Sequence, residues 1–357
     1  MNEDRADGAV SAVGRFDVHA FLRERGVPDD EIAAAEDQRT LPLLVIDQLL
    51  FPGRPRYDED TLVDKVGVDR DYARALWRAM GFPGLPEGEV AFYDDDLEAL
   101  RSAVIGDPMR ELLPNLVHQT RVTSAAMTRI AEQSTDDIER LLNDLREQGA
   151  PDEEAVRLMV SVFQVERFEQ LLWYIFRRQL RASLWRRLAA PEPGAPTTVG
   201  FVDLVRFAAV TENVADDELE RLIVRFEEVA YDAIVDGGGR MVKMIGDAVM
   251  FVADDPERAT LVAIDLVDAY ARDDLLPPAR AGLARGEVLA RDGDYFGPPV
   301  NLAARIVDVA RPSRVVVSDE LRDALLPSGR FSFRRLPPKR LRGMGHPPIW
   351  AAARASD

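Results

Sequence analysis

The sequence contains no cysteine and only three histidines among its 357 residues. Without cysteine, disulfide bonds, thiolate metal sites and cysteine nucleophiles are excluded. Three histidines leave little for a histidine-rich zinc site. The sequence also lacks a run of 18 or more apolar residues, and residues 1–14 lack the charged-then-apolar pattern of a secretory signal. We therefore expect a cytoplasmic protein with neither disulfides nor a transmembrane segment.

Acidic residues clearly outnumber basic ones. The 45 Lys and Arg residues are outnumbered by 63 Asp and Glu residues, which gives a formal charge of −18. A surface this acidic repels nucleic-acid phosphates, so no nucleic-acid partner is expected. Residues 60–82 have the outline of a helix-turn-helix, but Glu59, Asp69 and Asp71 flank the helix that would read DNA, which argues against that use.

The composition and length indicate two folded domains. The chain is 46% apolar and 30% charged, which is typical of folded proteins. The clearest boundary is at residues 190–197, where three of eight positions are proline and one is glycine. Before it, apolar residues recur at helical spacing, for example at 136–148 and 152–188. Ser134 or Thr135 is the predicted start signal of the first of these helices. We predict an all-α domain at 1–190, a proline-rich linker at 191–197 and a second domain at 198–357.

The second half alternates strand-like and helical segments, as α/β domains do. A short apolar segment at 199–205 contains a single acid, and the helix after it ends at a run of glycines. Two strand-like segments, 240–245 and 248–252, flank the pair Gly246-Asp247, which is typical of a β-hairpin turn. The other predicted elements are helices at 257–271 and 300–310 and strands at 279–289 and 315–317.

Two aspartates stand at positions where a carboxylate is unusual or exposed. Asp203 interrupts an apolar strand, where an unpaired carboxylate is costly, and Asp247 lies at the hairpin tip. If the fold brings them together, these oxygen donors suit Mg²⁺ or Mn²⁺ bound with a phosphate substrate. Taken singly, Asp203 is also compatible with a strand-end or helix-capping acid, and Asp247 with an ordinary turn residue.

A further pair of polar residues follows a loop rich in glycine and proline. Asn301 and Arg305 lie one turn apart on one face of the predicted helix. Presented toward a phosphate, they would orient a ribose and offset the negative charge of a transferring phosphoryl group. On spacing alone, a helix start with a surface arginine fits equally well.

Four sequence fragments occur in a fixed order along this second half. They are Phe201-x-Asp203, Lys243-x-x-Gly246-Asp247, Asp294-Tyr295-Phe296-Gly297 and Asn301-x-x-x-Arg305. Together they resemble the catalytic domain of class III nucleotide cyclases, which make cyclic AMP or cyclic GMP. The similarity covers residues 198–351. It implies an α+β/α/β cyclase catalytic domain, with a ferredoxin-like core and a β-hairpin, preceded by the all-α domain.

The resemblance implies a role for six residues. In the family, two aspartates bind two divalent ions, Mg²⁺ or Mn²⁺, a lysine and an aspartate recognise adenine, and an asparagine and an arginine stabilise the transition state. The matching residues here are Asp203 and Asp247 for metal, Lys243 and Asp294 for adenine, and Asn301 and Arg305 for the transition state. The family's site lies between two chains, so one chain carrying all six implies a homodimer with two sites.

The implied activity is an adenylate cyclase that converts ATP to 3′,5′-cyclic AMP and pyrophosphate. A guanylate cyclase is the alternative, which the Lys and Asp pair disfavours. A nucleotide-binding sensor with weak catalysis is a further alternative, because the family's Gly-Phe-Thr segment reads Arg206-Phe207-Ala208 here. Arg206, Phe207 and Arg342 are the candidate triphosphate contacts.

The first half resembles the pH-responsive regulatory domain of some actinobacterial cyclases, on fragments at 41–47, 77–83 and 168–178. The resemblance implies autoinhibition through control of the dimer geometry. Histidine titrates near neutrality, which makes His118 the candidate pH sensor, although a histidine merely accommodated on a helix also fits. A lipid or small-molecule regulator of this domain is a further alternative.

Overall fold

The structure is a computed structural model that describes residues 17–103, 116–162, 165–188, 195–212 and 214–355. The chain divides into two compact units, Met1–Arg187 and Leu188–Asp357. The linker predicted at 191–197 falls mainly outside the described residues, and Thr197 already begins a strand. The exact domain bounds therefore stay a prediction.

The regular secondary structure in the described part of the first unit is helical, apart from one isolated bridge between Tyr57 and Phe92. Its helices are α1 (Val18–Glu24), α2 (Asp29–Asp37), α3 (Leu41–Leu50), α4 (Glu59–Val66), α5 (Arg70–Ala79), α6 (Asp94–Ala103), α7 (Leu116–Glu147), α8 (Asp152–Val162) and α9 (Val165–Leu188). Side-chain caps explain where some of them begin. Asp58 and Asp69 accept hydrogen bonds from backbone N–H groups in the first turns of α4 and α5, at 2.9 Å each.

Two large apolar clusters and a smaller one around Leu142 and Ala155 hold the first unit together. One large cluster joins α1, α2, α3 and α8 through residues such as Leu22, Ile32 and Val156. The other large cluster surrounds Leu76 and Leu100 on α5 and α6. Burial of these side chains is the main term that stabilises the helical unit.

Helix α7 differs from its sequence prediction. A start was expected at Ser134 or Thr135, but the helix runs unbroken from Leu116 to Glu147. The hydroxyls of Ser134 and Thr135 donate to the carbonyls of Ile130 and Ala131, at 3.0 and 2.9 Å. Serine and threonine hydroxyls that donate to the carbonyl four residues earlier are typical of positions inside a helix, whereas a capping hydroxyl accepts from a backbone N–H. The capping prediction was therefore wrong.

The second unit is a seven-stranded mixed sheet with helices on both faces, as the predicted fold class requires. Its elements are β1 (Thr197–Leu204), α10 (Phe207–Thr211), α11 (Asp216–Asp236), β2 (Arg240–Ile245), β3 (Ala248–Ala253), α12 (Pro256–Arg272), β4 (Ala279–Gly286), β5 (Leu289–Arg291), β6 (Asp294–Phe296), α13 (Pro298–Val309), β7 (Val315–Ser318), α14 (Asp319–Leu325), β8 (Phe331–Arg335) and β9 (Ile349–Arg354). The strand order is β2-β3-β1-β4-β7-β9-β8, and the separate pair β5-β6 forms a small hairpin. Within the main sheet, only β4 and β7 pair in parallel.

The helices divide between the two faces of the sheet. Helices α11, α12 and α14 pack on one face around Phe251 and Leu283. Helix α13 packs on the opposite face against Phe201 and Met250. It approaches so closely that a β-carbon on Gly282 of β4 would lie 2.3 Å from the backbone nitrogen of Val307. Glycine at this position therefore sets how near α13 lies to the strands.

Helix α9 ends the first unit and carries an unusual amount of exposed apolar surface. Trp173, Phe176 and Trp185 are more than half exposed, and Trp173 stacks on Phe176 with ring centroids 5.5 Å apart. Along the described residues, no helix combines the length and the apolarity that crossing a bilayer demands. Charged side chains lie among these exposed apolar residues of α9. The guanidinium carbon of Arg177, for example, lies 5.9 Å from the centroid of the Trp173 ring.

Candidate active site

Strand β1 positions Asp203 at the sheet surface that α13 covers. Successive side chains of a strand point to opposite faces, so Asp203 shares a face with Val199 and Phe201. Its side chain is 16% exposed. In register, Asp203 lies between Ala248 of β3 and Arg280 of β4. The carboxylate is therefore half-buried at the end of a central strand.

The β2-β3 hairpin brings Asp247 to the same strand end. Gly246 adopts a φ of +59° at the first turn position, where type II′ hairpins favour glycine. The backbone N–H of Leu204 donates to the carbonyl of Asp247 at 3.0 Å, which locks the turn beside β1. The structure thus brings together the two aspartates that the sequence singled out.

The electrostatics of Asp203 reflect this crowding. Burial raises the pKa of the Asp203 carboxyl, and the negative charges of Asp247 and Asp308 act in the same direction. The hydrogen bond and the positive charge of Arg280 oppose the increase. Close carboxylates at a half-buried position are the arrangement that a bound cation stabilises.

The donor set fits a divalent ion that is shared with a phosphate group. In the ranges described, no cluster of three or more His, Cys, Asp or Glu residues is arranged to hold a metal by itself. Magnesium is usually bound through one or two carboxylates together with substrate phosphates and water. Asp203 and Asp247 match that pattern, and they do not match a metal cage built from protein alone.

A second cluster forms where β6 meets the edge strand β2. The Lys243 ammonium of β2 forms an ion pair with the Asp294 carboxylate of β6. The backbone N–H of Tyr295 donates to the other oxygen of Asp294 at 2.8 Å. Burial opposes the charged form, but the hydrogen bonds from Lys243 and Tyr295 together lower the pKa of Asp294. The structure therefore brings these two predicted residues together as well.

Neighbouring contacts that the sequence analysis missed support this cluster. Arg240 of β2 donates to the hydroxyl of Tyr295 at 3.1 Å. Its guanidinium also forms two hydrogen bonds with Asp254, at 2.9 and 3.2 Å. Arg240 and Lys243 thus tie the small hairpin to the edge of the main sheet at two points. Only the tertiary structure reveals these ties, because Arg240 and Tyr295 are 55 residues apart in the sequence and their strands belong to separate sheets.

Helix α13 presents Asn301 and Arg305 one turn apart. The helix follows Gly297, whose φ is +135°, and begins with two prolines, which suit the first turn of a helix. Asn301 is exposed, and the Arg305 side chain is 43% exposed and lies 3.5 Å from Asp308. In a single chain both side chains are exposed to solvent, so a ligand or a partner can contact them.

The other candidate residues are spread over both units. Arg206 is exposed in the turn after β1, and its φ of +62° lies in the left-handed region that favours glycine. Phe207 begins α10 and packs against the core beside β1. Arg342 is exposed in a loop closed by a 2.8 Å bond from Leu341 to Gly345. His118 is half-buried on α7 of the first unit.

Arg280 is the site residue that sequence reasoning missed. It contacts Asp203 directly, at 2.7 Å. The strand predicted at 279–289 contains three charged residues, Arg280, Arg285 and Glu287, so the sequence did not distinguish Arg280 from the others. The distinction becomes clear once β4 is known to pair with β1.

Comparisons with known proteins agree with this architecture. The adenylate and guanylate cyclase catalytic domain matches residues 190–351. An adenylate cyclase of Glutamicibacter nicotianae is 31% identical over 84% of this chain and 79% of its own length. A pH-sensitive adenylate cyclase of Mycobacterium tuberculosis is 30% identical over 94% of this chain and 87% of its own.

Solved cyclase structures are also similar, among them the catalytic core of a rhodopsin-guanylyl cyclase with converted specificity, in complex with ATPαS. It is 23% identical, has a TM-score of 0.42, and the match covers 45% of this chain and 97% of that one. The sequence relatives, at about 30% identity across most of the chain, carry the assignment. The chain belongs to the class III nucleotide cyclases, the family of adenylate and guanylate cyclases.

Proposed function

We propose that the protein is an adenylate cyclase that converts ATP to 3′,5′-cyclic AMP and pyrophosphate. The observation that carries the choice of ATP is the ion pair between Lys243 and Asp294. It presents one donor and one acceptor at the edge of the sheet, as the recognition of a purine edge requires. Relatives that span most of the chain are named adenylate cyclases, which supports the same substrate.

Discrimination between the two purines depends on the order of donor and acceptor. Adenine presents the N6 donor beside the N1 acceptor, whereas guanine presents the O6 acceptor beside the N1–H donor. A lysine and an aspartate held in fixed positions therefore match only one order. The bond from Arg240 to the Tyr295 hydroxyl supports that fixed placement, since it holds the hairpin that carries Asp294.

In the reaction, the ribose 3′-hydroxyl gives its proton to water or to a substrate phosphate oxygen, its oxygen bonds to the α-phosphorus, and the bond from that phosphorus to the departing pyrophosphate breaks. Asp203 and Asp247 hold the divalent ions, and Asn301 orients the ribose. Arg305 offsets the negative charge that develops on the phosphoryl oxygens. When bound, Mg²⁺ or Mn²⁺ supplies positive charge next to the triphosphate and makes the ribose hydroxyl more acidic. Arg206, Phe207 and Arg342 are the remaining candidate contacts to the triphosphate.

We infer that each site is shared between two copies of the chain, and mixing of variants tests this. Asp203→Asn and Arg305→Ala should each be inactive alone. Their equal mixture should recover about a quarter of the wild-type activity, because random mixing gives half hybrids with one complete site each. A mixture of Asp203→Asn with Asp247→Asn is the control, and it should stay inactive. An inactive first mixture that demonstrably contains hybrids would contradict the shared site.

Substrate choice is tested by measuring product from ATP and from GTP with Mn²⁺. We expect a clear preference for ATP, and a preference for GTP would favour the guanylate cyclase alternative. The sensor alternative is tested with the same assay. If Asp203→Asn turns over ATP as fast as the parent, the measured turnover does not come from this site.

We further infer that the first unit regulates catalysis in response to pH. The pH-sensitive relative, which matches 94% of the chain, supports this inference. The test compares the pH profile of the full chain with that of residues 196–357, and identical profiles would contradict it. His118→Gln should shift the full-chain profile if His118 is the sensor. His19→Gln is the matched control, because His19 contacts Glu36 elsewhere in the same unit.

A cavity in the first unit supports a lipid or small-molecule regulator. It has a volume of about 260 Å³ and is lined by apolar side chains that include Leu62, Trp77 and Leu100. Three charged residues also line the cavity: Arg74 and Glu59, which form an ion pair, and Arg78, which adds a positive charge. Binding of a fatty acid should change the fluorescence of Trp77 and raise the melting temperature. No change in either would exclude this class of regulator.

A further inference from the structure

Arg280 holds the Asp203 carboxylate from the neighbouring strand. Its Nε donates to Oδ2 of Asp203 at 2.7 Å, and its Nη2 lies 2.7 Å from the same oxygen. Its Nη1 donates to the backbone carbonyl of Asp308, near the end of α13, at 2.9 Å. The guanidinium is therefore anchored on two sides, and its side chain is 26% exposed.

This anchoring opposes the approach of a cation to Asp203. A divalent ion that coordinates Oδ2 must compete with the hydrogen bond from Nε and with the charge of Nη2 beside that oxygen. An arginine keeps its charge throughout the working pH range, so the repulsion between guanidinium and cation persists. The guanidinium cannot move far from Asp203 without also losing its bond to the Asp308 carbonyl.

We propose that Arg280 sets the affinity of the Asp203 and Asp247 pair for divalent cations. By holding Oδ2 of Asp203 and keeping its positive charge beside the carboxylate, it keeps binding of the free ion weak, so that the negative triphosphate is needed to bring the metal in. The inference rests on the proposed function, because it takes Asp203 and Asp247 as metal ligands. Arg280 is then a positioning residue, which acts on the metal through Asp203.

The test is a titration of the full chain with Mn²⁺ alone, followed by the relaxation rate of water protons. Removing the charge in Arg280→Gln should tighten binding of Mn²⁺ about fivefold. Arg280→Met keeps the aliphatic part of the side chain and should also tighten binding of Mn²⁺. It replaces Arg280→Gln if that variant does not fold. Arg280→Lys, which keeps the charge, should stay close to wild type. The sign is diagnostic, because mere damage to the structure would weaken binding.

Two further variants make the outcome unambiguous. Arg285→Gln is the matched control on the same strand, since Arg285 contacts Thr198 and the Asp254 carbonyl, and it should leave Mn²⁺ binding unchanged. Asp203→Asn identifies the binding that belongs to this site, as distinct from weak binding elsewhere on a chain of charge −18. If Asp203→Asn removes binding but neither Arg280→Gln nor Arg280→Met tightens it, Arg280 does not set the affinity. If Asp203→Asn changes nothing, the proposed metal site itself is wrong.

Discussion

Lys243 and Asp294 form an ion pair within one chain, although the strands that carry them, β2 and β6, belong to different sheets. The pair is therefore assembled by tertiary structure before any substrate arrives. Each side chain is about one-third exposed, so both remain accessible to a nucleotide base. In the proposed function, the base must separate the pair or bridge it.

The ion pair predicts how purine preference depends on pH. Because the pKa of Asp294 is lowered, this carboxylate stays ionised until the pH falls through a value below its ordinary one. The contribution of the ionised carboxylate to purine preference is present above that pH and is lost only in stronger acid. We expect the ratio of kcat/KM for ATP to that for GTP to be constant from about pH 5 to pH 8. In Lys243→Met, Asp294 loses the hydrogen bond and the charge of the lysine while it stays partly buried, so the pKa of Asp294 should rise. The ratio of kcat/KM for ATP to that for GTP should therefore start to fall at a higher pH than in the wild type. A ratio that changes near pH 6 in the wild type would contradict this assignment.

Arg206 predicts a gain in stability on substitution. Its φ of +62° is unfavourable for a residue with a β-carbon. Arg206→Gly should raise the free energy of unfolding by about 1 kcal/mol, as measured by urea denaturation. Arg206→Ala is the control, because it removes the charge but keeps the β-carbon, and it should show no gain. Equal stability of the two variants would mean that the backbone conformation is not strained.

Gly282 predicts a severe loss on the smallest possible substitution. In Gly282→Ala the new β-carbon would lie 2.3 Å from the backbone nitrogen of Val307, and that backbone cannot yield cheaply. We expect a loss of about 3 kcal/mol or more in the free energy of unfolding, with reduced cyclase activity as α13 moves away from the sheet. Gly84→Ala adds the same methyl group into open space and should cost far less.

Substitution of Tyr270 should have a smaller effect on the free energy of unfolding, because it removes a single hydrogen bond. Its hydroxyl donates to the Phe226 carbonyl at 2.9 Å and links α12 to α11 in the core. Tyr270→Phe leaves that buried carbonyl without its partner and should cost about 1 to 2 kcal/mol. Tyr231, on the same helix as Phe226, is 53% exposed, so Tyr231→Phe should be nearly neutral in the same unfolding measurement. Comparable losses in both variants would rule out this hydrogen bond as the cause.

Local patterns predicted several elements within a few residues. The helices expected at 257–271 and 300–310 are observed at Pro256–Arg272 and Pro298–Val309, and the hairpin turn lies at Gly246-Asp247 as expected. The strand expected to end at 289 stops at Gly286, where a β-carbon would lie 2.8 Å from Pro299. Strands β8 and β9 were not predicted, since a segment such as Ile349–Arg354, with three alanines, has little strand propensity of its own.

The sequence by itself determined the family, the two-part organisation of helical and mixed halves, and six polar residues worth testing. These depend on residue identity and on spacing along the chain, which a sequence contains in full. Only the tertiary structure decided two hydrogen bonds, from Arg280 to Asp203 and from Arg240 to Tyr295. It also decided the close packing of α13 against β4 at Gly282. The physical reason is that these contacts join residues from 25 to 77 positions apart, and strand order and close packing determine which distant segments become neighbours.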